Sequence, residues 1–147
     1  MKKYLTINTF TACLRVFLLC LICFSLSQPV LANETKAMLL TKTSQTWNGA
    51  DLPGYPRGVP EITILRIKIP ANTTLPWHPH PVINAGVLIS GELTVTTRSG
   101  KTLVMKAGDP IVEVVDTWHY GKNTGKTDAD IIVFYAGTKG APVTVKE

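Results

Sequence analysis

The chain has 147 residues, 45% of them hydrophobic and 17% charged, a length that suits one domain. Its formal charge of +5 includes Lys2, Lys3 and Arg15; without those three the balance is 12 basic against 10 acidic residues, or +2. The remaining basic residues form no run, which excludes a nucleic-acid footprint.

Residues 1–32 read as a secretory signal peptide. Lys2 and Lys3 open it, Val16 to Leu26 is an apolar run of eleven residues, and Val30-Leu31-Ala32 offers the small residues that a signal peptidase reads. The run is too short to span a bilayer, which takes roughly 20 apolar residues. Leu19 and Ile22, before Cys20 and Cys23, are too bulky for lipid attachment at either cysteine. Cleavage after Ala32 would leave Asn33 to Glu147, 115 residues, and would remove Cys13, Cys20 and Cys23, all the cysteine there is. The expected product is periplasmic or secreted, off the membrane once cleaved, without disulfides, and held by its core alone.

Residues 33–60 are polar and turn-rich, "WNGADLPGYPRGVP" above all, and read as an irregular N-terminal arm. From residue 61 to 147 the text is almost all strand. "EITILRIKI" ends at Pro70 and "NAGVLIS" at Gly91. "ELTVTTR" turns through Ser99-Gly100 into "KTLVMK". "PIVEVV" follows Gly108-Asp109, and "ADIIVFYAG" follows a polar loop. Six or seven short strands without a helical period predict an all-β sandwich or small barrel.

The chain has three histidines, and two of them stand in "HPHPVINAG". On a strand, residues two apart share a face, so His78 and His80 would present both imidazoles to one side with Pro79 away from it. Pro79 and Pro81 donate no backbone hydrogen bond, which puts the segment at an edge or rim. His119 lies far along the chain, after a Gly-Asp turn and a strand. The three could be unrelated surface or core residues, or one metal site.

The spacing around them resembles the cupin superfamily, over about Glu61 to Gly137. One cupin motif has a His-x-His pair, an acidic residue four positions on, and a Gly seven further; His78, His80, Asn84 and Gly91 match it ungapped. The second runs from a Gly to a His eleven on and an Asn four after that, as Gly108, His119 and Asn123 do. Val114 and Asp116 replace a Pro and a Gly usual inside it. The resemblance implies a double-stranded β-helix, or jelly-roll barrel, in which His78, His80 and His119 meet on one divalent metal ion. Histidine-rich sites suit Zn, Cu, Fe and Ni. Asn84 stands where the family has a carboxylate, and two roles are open to it: a neutral amide ligand or a hydrogen bonder beside the site. Either leaves the ion its full charge and an open position for an anion or water. An unfolded chain exported without an arginine pair would load its ion outside the cytosol by affinity and supply, which favours Zn or Cu, then Ni or Fe, with Mn last.

Glu113, six residues before His119, would share its face under strict alternation and serve as an inward acid/base; a loop from Asp116 to Trp118 would instead leave it facing solvent. Trp77 and Trp118 read as core or interface residues backing the site from outside, core before interface, while a loop position would instead let either close the pocket mouth. The expected function is a metal-centred cupin acting on a small oxygenated or anionic molecule, by dioxygenase, lyase or isomerase chemistry. The alternatives are a non-catalytic metal- or small-ligand-binding cupin, or a barrel without metal that takes a sugar-like ligand. "GVLIS" has two apolar faces, Val87 and Ile89 against Gly86 and Leu88, which suits one to the cavity and the other to a second copy in a homodimer.

Overall fold

The computed structural model describes residues 34–146. The expected signal peptide and its cleavage point lie outside the described residues. The compact unit begins at Met38.

Seven strands and no helix make up this unit: β1 (Pro60–Ile69), β2 (Ile83–Ser90), β3 (Glu92–Thr97), β4 (Thr102–Lys106), β5 (Pro110–Val112), β6 (His119–Lys122) and β7 (Ala129–Thr138). They form two antiparallel sheets, ordered β1-β7-β2-β5 and β4-β3-β6. β1 and β7 pair over their full length, Pro60 against Thr138 to Ile69 against Ala129. The order is that of a double-stranded β-helix, with sequence neighbours β2 and β3 in different sheets.

Two strands differ from the sequence expectation. "PIVEVV" keeps only Pro110–Val112 as strand. His119–Lys122 is a strand of its own, paired with β3 from Thr97↔His119 to Thr94↔Lys122. β6 is short and polar, so no apolar alternation marked it.

The core lies between the sheets, where alternation predicts it. Ile131, Val133 and Tyr135 of β7 point inward, while Ile132 and Phe134 remain on the outer face. In β2, Leu88 is fully buried and Ile89 exposed, so the two faces of "GVLIS" do divide between core and surface. Burying a Leu or Ile side chain stabilises by about 1.5–3 kcal/mol, and with no disulfide expected these contacts hold the barrel.

Motif residues that touch no site explain themselves structurally. Gly91 has φ +79°, and a Cβ there would meet the Asp128 carbonyl oxygen at 2.5 Å, so only glycine fits the tight β2–β3 corner. Asn123 is fully buried and ties two loops: its Nδ2 donates to the carbonyls of Ile69 and Thr127, both at 2.8 Å, and its Oδ1 accepts from Gly125 N. Asp116, at a usual glycine position, takes the left-handed conformation itself, with φ 48°. A short polar side chain tolerates that region better than most.

Candidate metal centre and cavity

The three histidines converge although they come from separate places. His78 and His119 stand directly opposite each other, His78 N donating to His119 O at 2.9 Å and His119 N to His78 O at 3.1 Å. His80 follows two residues on, with Pro79 held outside by a bond from Val145 N to its carbonyl, 3.1 Å. The ring centroids lie 4.9 Å apart for His78 and His80, 4.5 Å for His78 and His119, and 5.0 Å for His80 and His119. One ligating atom from each lies within 4.8 Å of the other two.

Backbone carbonyls decide which atom that is. Nδ1 of His78 meets the Pro76 carbonyl, Nδ1 of His80 that of Val143, and Nδ1 of His119 that of Thr117, each at 2.8 Å. A carbonyl only accepts, so each Nδ1 carries the proton and donates it. All three Nε2 lone pairs are thereby left for an ion. Burial lowers the pKa of every ring, that of His80 to about 4, so the imidazoles are neutral at pH 7. Three neutral, convergent nitrogens fit a divalent transition ion, and metal ligation requires this protonation state.

Asn84 lines the same cavity and is 1% exposed. Its Nδ2 donates to the Val82 carbonyl at 3.3 Å, which fixes the amide's orientation, and its Oδ1 is buried with no hydrogen-bond partner. The structure thus brings Asn84 to the site with an acceptor in want of a donor or a cation.

Glu113 is 8% exposed and lines the cavity, which corrects the solvent-facing position considered for it. β5 ends at Val112, but Glu113 N still donates to the Asn84 carbonyl at 3.0 Å, so the inward turn of Ile111 and Glu113 persists past the strand. Oε1 accepts from Trp47 Nε1 at 2.8 Å and from Val114 N at 3.1 Å, and lies 3.9 Å from His119 Nε2. Burial raises the carboxyl's pKa, against the lowering effect of the Trp47 bond.

Trp77 and Trp118 are not core. They stand half-buried around Arg98, whose guanidinium lies 4.4 Å from the Trp118 ring and 5.5 Å from the Trp77 ring, and Trp77 also meets Tyr120 edge-on at 4.7 Å. Their neighbours in sequence point inward, so alternation puts them outside.

Sequence reasoning missed Tyr135, Trp47 and the aliphatic lining of the cavity. Tyr135 points inward from β7, its ring 5.4 Å from that of His80, and burial pushes its hydroxyl up to about 12. The parity of Ile131, Val133 and Tyr135 was the available signal. Trp47 gave none. The cavity of about 130 Å³ runs from the histidines, Asn84, Glu113 and Tyr135 to a lining of aliphatic side chains, among them Ile67, Leu93, Val95, Ile131 and Val133.

The arrangement is a small β-helix barrel with three imidazoles positioned to hold a metal ion beside a cavity. Residues 65–135 match the family model for the cupin domain, which identifies that stretch of the chain as a cupin domain. No curated protein matches the chain. Among solved structures, a cupin-like protein from Thermotoga maritima is 13% identical with a TM-score of 0.52, covering 58% of this chain and 64% of that one. The DMSP lyase DddQ from Ruegeria pomeroyi is 18% identical, TM-score 0.51, covering 58% of this chain and 42% of its own. The Lactobacillus farciminis oxalate decarboxylase is 19% identical, TM-score 0.50, covering 58% and 26%. The match spans less than two thirds of each of these three chains, and at these identities what is shared is the fold.

Proposed function

We propose that the protein is an exported, metal-dependent cupin enzyme acting on a small oxygenated molecule. His78, His80 and His119 would hold the ion, with Zn or Cu favoured and Ni or Fe next. The observation that carries the reading is the set of three Nε2 atoms freed by backbone carbonyls beside a buried carboxyl. A divalent ion there would supply Lewis acidity toward a substrate oxygen. Glu113 would move the proton. It is anchored through Oε1 alone, Oε2 accepts no hydrogen bond from any described residue, and burial favours its protonated form. Asn84 would hold the substrate or the ion with its unpartnered oxygen. Two of the fold relatives are named for a lyase and a decarboxylase, reactions of the kind such a pair of groups can serve.

One observation favours a second reading, a non-catalytic binding protein. Two hydrogen bonds pin Glu113, and a pinned carboxylate can simply brace the cavity wall. Incubating the metal-loaded protein with a panel of small hydroxy and oxo acids, followed by NMR, separates the two. Turnover by the wild type and none by Glu113→Gln supports the enzyme; binding without turnover by either supports the binding protein.

The chain is further proposed to form a homodimer through the outer face of the β1-β7-β2-β5 sheet. Ile62, Ile64, Ile89, Ile132 and Phe134 are exposed there, a contiguous apolar surface of the kind that monomers rarely leave open. Sedimentation of wild type and Ile64→Glu tests it: a dimer that the substitution dissociates is expected, and a monomeric wild type at micromolar concentration overturns it.

A further inference from the structure

The cavity has two chemically different ends. At one end stand the histidines, Glu113, Tyr135 and the unpartnered Asn84 Oδ1. The rest of the wall is aliphatic: Leu65, Ile67, Leu75, Leu93, Val95 and Val133 among others. No Lys or Arg lines it, so nothing built into the wall would balance a second anionic group. Leu65, at 37%, is the one exposed residue of the lining, and it sits on β1, an edge strand, which marks the mouth. The volume of about 130 Å³ is close to the roughly 150 Å³ apolar cavity that takes up benzene in another protein.

We infer that this pocket takes a small amphipathic molecule, with an aromatic or branched aliphatic body seated against the aliphatic wall and a single hydroxyl-bearing head that donates to Asn84 Oδ1. Wholly polar diacids are excluded by the same wall. A buried acceptor without a partner is destabilising, and a ligand hydroxyl removes that cost. An ion bound to the histidines would sit at the head's end of the pocket and leave the body's contacts unchanged. The inference deepens the proposed function by naming its substrate class, and it shares only the pocket with that reading, not the ion.

The test uses the mature protein freed of metal by chelation, with phenol, toluene and oxalate as probes. Phenol and toluene have the same number of heavy atoms and differ in one hydroxyl, so their comparison isolates the head. Titrations are followed by the methyl NMR signals of Ile67, Leu93, Val95 and Val133. Both aromatic probes should shift those signals, phenol binding about tenfold tighter than toluene, the value of one good hydrogen bond to a buried group. Oxalate should shift none of them. In Asn84→Leu the preference for phenol should shrink to within about twofold while toluene still binds, which also reports that the variant is folded. Asn84→Thr, which keeps a hydroxyl acceptor, should restore part of it. Absence of methyl shifts with both aromatics, displacement of phenol by oxalate, or an unchanged preference in Asn84→Leu each overturns the inference. Because metal is absent throughout, a protein that binds no ion or performs no turnover leaves this result standing, and the two readings fail separately.

Discussion

The indole N–H of Trp47 donates to Glu113 Oε1 at 2.8 Å, across a separation of 66 residues. Trp47 belongs to the segment before β1, where only an isolated bridge, Gln45 to Asp51, gives regular structure, and its own amide donates to the Val112 carbonyl at 2.8 Å. The segment read as an arm therefore braces Glu113 of the site through Trp47.

Trp47→Phe tests that role. It keeps the ring and removes the donor. A hydrogen bond to a charged group contributes about 1.5–3 kcal/mol, and only while Glu113 is ionised. The stability lost in Trp47→Phe should therefore be largest at high pH and fade as the carboxyl protonates. Urea unfolding across a descending pH series measures it. An equal loss throughout, persisting in a Glu113→Gln background, would mean that packing alone is at stake.

Each of His78→Ala, His80→Ala and His119→Ala should strip most of the metal and leave the barrel folded. Even partners that only orient a ligand change affinity by about 10–100-fold, so removing a ligand should cost at least that. Metal content with circular dichroism decides it, and a variant that retains a full equivalent rules its histidine out.

The pH dependence differs from what three ordinary histidines would show, which is metal loss near 6.5. Burial holds His80 down at about 4 and lowers His78 and His119 as well, so proton competition for the metal should begin below 6.5. The metal-free fold loses stability to the histidines as pH falls through this range. A base whose folded pKa is depressed binds fewer protons folded than unfolded. The stability it contributes is whole above 6.5 and is lost as pH falls toward 4, about 3 kcal/mol for His80 alone. Glu113, with a raised pKa, acts in the opposite direction, since its burial penalty is relieved on protonation. Unfolding measured in Glu113→Gln isolates the histidines. A flat profile across that range would show that they are not buried as neutral rings.

Asn84→Asp places a carboxylate where a buried oxygen has no hydrogen-bond partner. Without metal the variant should be less stable at neutral pH, by about 1–3 kcal/mol or more for an unpaired buried group. With metal it should bind the ion more tightly than the wild type. If neither quantity moved, Asn84 would have no part in the site.

Protein taken from its own exported compartment should begin at or near Asn33 and carry Zn or Cu, with stoichiometric Mn the result that would defeat the loading argument. Intact mass and elemental analysis of one sample answer both points.

The sequence by itself determined the strands and, through its resemblance to cupins, the barrel and the three candidate metal ligands, because all rest on local regularities. β-branched alternation sets strands and their faces, and His78, His80, Gly91, Gly108 and His119 stand at spacings that one backbone path requires. It also showed the amide at Asn84, though not that Oδ1 would be buried without a partner. Only the tertiary structure decided the position of Glu113. "PIVEVV" leaves its strand after Val112, and Val114, with 1% exposure, is buried beside Glu113, so parity alone could not choose between inward and outward. Trp47, Tyr135 and the aliphatic cavity likewise belong to the tertiary structure. A donor 66 residues from its acceptor, in a segment without periodicity, leaves no local pattern to read, and a cavity is the space that two sheets enclose rather than a property of any one strand.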